Sequence, residues 1–101
     1  PRRPQEDMFD AVCEACGLDT TLLDSNTRIA AAKLARELLR VEDPWTPEEV
    51  RQAGEDWYGV RWKGKPRSQV TPPQVKQLRT WLGQCEEQRR KHDEYAWAVQ
   101  R

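Results

Sequence analysis

The stretch "WTPEEVRQAGEDW", Trp45–Trp57, decides the fold class, because it reads as one helix with its start written out. Thr46 offers a hydroxyl to the free N–H groups of a first turn, and Pro47 suits the first helical position, where no N–H is missed. Glu49 stands three residues after Thr46, so its carboxylate reaches back and completes a capping box. Trp45 and Val50 bracket the start as a hydrophobic staple. Val50, Ala53 and Trp57 then recur at helical spacing and predict the buried stripe. The same grammar returns in "VTPPQV", Val70–Val75. There Thr71 is the predicted cap, Pro72 the first helical residue, Gln74 the capping-box partner, and Val70 and Val75 the staple.

Working outward, "AAAKLARELL" is strongly helix-forming and predicts a helix that starts near Asp24 or Ser25, either of which can cap it. Ala30, Leu34 and Leu38 line its expected inner face, widened by Ile29, Ala31 and Ala35. Upstream, Phe9, Val12, Cys13 and Cys16 make one apolar stripe on a helix from about Glu6 to Cys16, and Gly17 supplies a left-handed stop. Downstream, Val75, Leu78, Leu82 and Cys85 share a stripe, with Trp81 beside it. The segment "EEQRRKHDEYAWAVQR" that follows is also helix-compatible. Its ridge of His92, Tyr95, Ala96 and Val99 docks on the body or contacts another chain, unless its charges leave it frayed. No stretch alternates with the period of a half-buried strand. The expected fold is therefore all-α: a compact bundle of about four helices over residues 8–85, and a charged helical tail over 86–101. A segment resembling an interdomain linker, "PRRPQED" (residues 1–7), precedes them.

Composition narrows the class further. Apolar residues are 37% and charged residues 34% of the 101, so the core is thin, and five tryptophans compensate through their large buried area. No apolar run approaches the roughly 18 residues of a membrane span, and no secretory signal pattern opens the sequence. Three cysteines rule out a complete internal disulfide framework, which favours a reducing, cytoplasmic setting. The formal net charge of zero conceals a split. Residues 1–56 carry 7 Lys/Arg against 13 Asp/Glu, whereas residues 57–101 carry 10 against 4. Either two faces meet different partners, or an acidic half neutralises a basic half.

Chemistry-bearing constellations are few. Cys13, Cys16, Cys85 and His92 are four residues of the two types that commonly hold a tetrahedral zinc. Cys13 and Cys16 fall within a continuous amphipathic helix, however, where small buried cysteines are the usual occupants, so no metal or cofactor is expected. His92 is the single histidine. No serine has a plausible base, no glycine-rich phosphate loop occurs, and Glu42, Asp43, Glu48 and Glu49 are accounted for by helix ends. A non-enzymatic protein is expected.

The connector "GVRWKGKPRSQ", Gly59–Gln69, is the constellation with a physical rationale. Arg61, Lys63, Lys65 and Arg67 alternate, so an extended loop would set them on one side, where they neutralise successive phosphates. Trp62 lies among them as an indole able to stack on an unpaired base. Lys76 and Arg79 follow in the first turns of the next helix. These seven residues form the expected nucleic-acid surface, for single-stranded or duplex DNA. The competing reading is a structural loop, in which Trp62 covers a helix end and the cations keep the connector solvated. A protein–protein adaptor is the rival class, docking a partner or a second copy through the acidic half or through Tyr95 and Trp97.

The order of these segments resembles the helical C-terminal domain of phage and prophage replication initiation proteins, the replisome-organiser group related to DnaD. "MFDAV" (Met8–Val12) leads to "CGLD" (Cys16–Asp19), then "AKLAREL" (Ala32–Leu38), "TPEEVR" (Thr46–Arg51), Trp57, Trp62, and "TPPQV" (Thr71–Val75) before Trp81. The similarity covers about residues 6–83, and the Y-x-x-x-I-x-x-x-W signature of the DnaD C-terminal segment is absent. The resemblance implies an all-α domain that accompanies a winged-helix domain and either contacts DNA or helps recruit a replicative helicase or its loader.

Overall fold

A computed structural model describes the backbone of residues 3–99 and the side chains of residues 3–88. Four helices follow one another: α1 (Pro4–Ala15), α2 (Ser25–Arg40), α3 (Pro47–Arg61) and α4 (Val75–Val99). A single 3-10 turn, Arg67–Gln69, interrupts the α3–α4 connector, and the described residues contain no strand. None of the described helices is long and apolar enough to cross a membrane.

α1 packs against both α2 and α3, and α4 lies across α2 and α3. Met8 and Val12 of α1, Leu34 and Leu38 of α2, Val50 of α3, and Leu78 and Leu82 of α4 meet in one buried core. α1 and α3 approach so closely that a Cβ on Gly54 would stand 2.8 Å from Cβ of Ala15. Only hydrogen at that position lets the two backbones pack at this distance. α1 begins at Pro4, so residues 4–7 of the segment expected to be linker-like are helical. Pro4 suits the opening turn, and Glu6 and Asp7 there complement the helix dipole.

α1 ends as its glycine predicts. Gly17 takes φ of 65°, its N–H donates to Glu14 O at 3.0 Å, and Leu18 N–H donates to Cys13 O at 2.8 Å, the two bonds of a Schellman stop. At the start of α3 the predicted box is complete. Glu49 N–H donates to Thr46 Oγ1 at 3.2 Å, and Thr46 N–H donates to Glu49 Oε1 at 3.0 Å. Trp45 and Val50 are both buried, and Trp45 N–H closes the α2–α3 connector on Leu38 O at 3.1 Å.

Two expectations are corrected. On α2 the buried set is Ala31, Leu34, Ala35 and Leu38, while Ala30 is exposed and Ile29 is 63% exposed. At about 100° per residue, the 31/34/35/38 set is the stripe that fits α1 and α4, and Ala30 falls off it. The second correction concerns α4, which starts at Val75 rather than Pro72. A residue that precedes proline is held out of the helical region, so Pro73 keeps Pro72 extended and Thr71 cannot cap. Gln74 takes over: its carbonyl accepts the first helical bond from Leu78 N–H at 2.9 Å, and its N–H donates to Gln77 Oε1 at 3.3 Å. The displaced prolines serve packing instead. Pro73 is buried, and Pro72 lies against Gly17.

Candidate nucleic-acid interface

α3 runs on to Arg61, so Gly59, Val60 and Arg61 belong to the helix and not to the loop. Trp62 N–H still bonds to Tyr58 O at 2.9 Å, and Lys65 N–H turns back to Trp62 O at 2.9 Å. The four alternating cations therefore do not share one side of an extended strand. A helix end, a tight turn and a 3-10 turn send them in different directions.

The expected surface divides in three. Arg61, Trp62 and Lys76 line one open cleft of about 760 Å³ between the end of α3 and the first half of α4. Lys63 and Lys65 lie exposed in the turn that follows, and no carboxylate pairs with either among the described residues. Arg67 and Arg79 lie elsewhere. The Arg67 guanidinium covers the Tyr58 ring at 4.4 Å and approaches Glu55 at 3.9 Å. Arg79 pairs with Glu37 of α2 at 2.6 Å, across the opposite face of α4. Both arginines meet carboxylates from the acidic front half of the chain. Both side chains stay largely exposed, at 68% and 56%, but their charge is partly offset at these two points where the acidic half meets the basic half.

Trp57 and Trp81 join the cleft. The spacing predicts Trp57 in the buried stripe of α3 and Trp81 beside that of α4; both are half-buried, and Trp81 packs against the core while Trp57 lies outside the core cluster. The readable signal was Trp57 and Arg61 at i, i+4 on α3, set against Gln77, Trp81 and Gln84 on one face of α4. Trp81 also locks the two helices together, since its Nε1–H donates to the Ala53 carbonyl of α3 at 2.8 Å. Trp62 is half-buried rather than exposed. Its Nε1 is enclosed and has no acceptor among the described residues, and the Arg61 guanidinium stands 5.5 Å from its ring.

The lining therefore combines three indoles, two cations, and the amide and hydroxyl groups of Gln77, Thr80 and Gln84. Among the described residues it includes no Asp or Glu, in a chain with 17 of them. Aromatic faces with neighbouring positive charge and no opposing carboxylate suit an anion that also carries a flat group. Away from the cleft lining, Glu14, Arg51 and Glu48 form an exposed ion-pair chain joining α1 to α3, at 2.6 and 2.7 Å. The Glu14 carboxylate raises the Arg51 pKa above its ordinary value.

The cysteines are free thiols; Cys13 and Cys16 are buried in the core and Cys85 is half-buried. Burial pushes all three thiols above their ordinary range, Cys16 to about 12. Among the described residues no three His, Cys, Asp or Glu side chains come together as metal ligands. His92, Tyr95 and Trp97 lie outside the described side chains. No family model, curated protein or solved structure matches the chain.

Proposed function

We propose that this chain is a non-enzymatic DNA-binding module that acts in the cytoplasm, in the class of replication-initiation functions that its sequence resembles. The observation that supports this reading is the tryptophan-walled cleft with Arg61 and Lys76 in its lining and Lys63 and Lys65 exposed beside it, with no carboxylate in the cleft or paired to either lysine among the described residues. Each cation that meets a phosphate releases a counterion, so affinity falls with salt in proportion to the number of contacts. Arg67 and Arg79 are dropped from the contact set, since each already has a carboxylate partner.

The test is a salt series of binding isotherms on fluorescent oligonucleotides, single-stranded and duplex. Replacing Lys63, Lys65 and Lys76 by Ala together should weaken binding and flatten the log Kd against log salt slope by about 2 to 3, at roughly 0.7–0.9 per lost contact. Arg79→Ala should leave the slope unchanged. A triple variant with the parent slope, or a parent chain that binds no nucleic acid, sinks the reading.

The adaptor alternative has one observation in its favour. α4 continues to Val99, well past Cys85, the last α4 residue packed on the core among those whose side chains are described. A concentration-dependent oligomer abolished by removing residues 88–101 would support docking through that end of the helix.

A further inference from the structure

Resting on the nucleic-acid reading, we propose that the cleft takes in an unpaired base, so that this chain selects single-stranded nucleic acid over duplex. The shape of the site carries this. A duplex is read by a convex element, a helix or ribbon that enters a groove. The surface here is concave, bounded by Trp57 and Trp62 at the end of α3 and by Trp81 on α4. Bases in a duplex are stacked and cannot enter such a cleft, whereas an unstacked base can. The cleft is open, and its volume of about 760 Å³ lies within the range of roughly 300–1,000 Å³ typical of small-molecule sites.

The chemistry of the lining agrees with a base followed by its phosphates. Indole faces stack on any base, which makes such capture tolerant of sequence. On the α4 side Gln84 brings both an amide donor and a carbonyl acceptor and Gln77 an amide donor, while Gln77 Oε1 accepts from Gln74 N–H and the Thr80 hydroxyl donates to Lys76 O. Arg61 and Lys76 supply positive charge within the same cleft, and Lys63 and Lys65 extend it into the adjoining turn. A carboxylate in this lining would repel the sugar–phosphate chain, and none is present among the described residues.

The experiment compares three ligands of equal length and charge with the full chain at one salt concentration: a thymidine 15-mer, an abasic 15-mer of the same backbone, and a uridine 15-mer. A 15-base-pair duplex is added as a fourth. Base capture predicts that the thymidine oligomer binds at least tenfold more tightly than the abasic one and quenches indole fluorescence on binding. Trp62→Leu should erase that tenfold preference while keeping the salt dependence. The uridine arm separates RNA from DNA as the source of the base, and tight binding of either single strand supports the proposal. If the abasic oligomer binds as tightly as thymidine, or the duplex binds more tightly than the single strand, base capture is overturned while the cationic DNA-binding reading stands. If none of the four binds, both fall.

Discussion

Trp81 and Trp62 wall the same cleft, yet their indole N–H groups are in opposite circumstances, and this predicts opposite responses to one chemical change. Trp81→Phe deletes a 2.8 Å bond to the Ala53 carbonyl, the polar tie between α4 and α3. Such a bond contributes a net of about 1 kcal/mol. The smaller ring also forfeits apolar contact worth about 1 kcal/mol, at roughly 25 cal/mol per Å². The sum is a loss of about 2 kcal/mol. Trp62→Phe forfeits similar contact but removes an enclosed donor that has no acceptor among the described residues. An unsatisfied buried N–H costs about 1–3 kcal/mol, so its removal offsets the lost contact and the net change is near zero. With a urea m-value of about 1.5 kcal/mol/M, the two midpoints should differ by roughly 1.3 M, Trp81→Phe being the lower. Urea titration followed by far-ultraviolet circular dichroism measures this directly. Equal midpoints, or a lower midpoint for Trp62→Phe, would refute the assignment of the two donors and with it the placement of Trp81 as the pin between α3 and α4.

Two further expectations concern the helix starts and the thiols. Thr46→Ala should cost about 1 kcal/mol, because it deletes the hydroxyl that accepts from Glu49 N–H while the backbone half of the α3 box remains, whereas Thr71→Ala should fall within about 0.5 kcal/mol of the parent; equal losses in chemical denaturation would contradict the α4 start at Val75. Cys16 holds its proton more tightly folded than unfolded, its pKa rising from an ordinary 9.0 to about 12 through burial. The folded state is then the more protonated one above pH 9, so this contribution is complete below pH 9 and is lost as the pH climbs towards 12, at about 1.4 kcal/mol per pH unit. Cys16→Ala should flatten that decline relative to the parent in denaturation series between pH 8 and 10.5; an identical pH dependence would show that the thiol is not buried.

Much of the fold was legible in single residues because the relevant physics is local. Thr46, Pro47 and Glu49 satisfy one another within one turn, and Gly17 supplies a φ that only it adopts at low cost, so these ends needed no tertiary context. The α4 start was misread through the same local grammar, although Pro73 stood in plain view and its restriction on Pro72 is equally local. On α2 the helix was certain but its buried face was not. A run rich in alanine is nearly symmetric in hydropathy, and only the arrival of α1 and α4 selects Ala31 over Ala30.

The candidate site divides along the same line. Sequence alone determined that aromatic and cationic side chains concentrate after Trp57, and that no acidic residue interrupts them before Glu86. Tertiary structure decided which of them act together. Packing α4 across α3 brought Trp81 and Lys76, distant in the chain, to Trp57, Arg61 and Trp62. The same packing turned Arg79 to Glu37 and left Arg67 over Tyr58 beside Glu55. Side-chain identity sets what each residue can bind, but a cleft is a relation between two helices, and the angle at which they meet depends on residues scattered across the whole core.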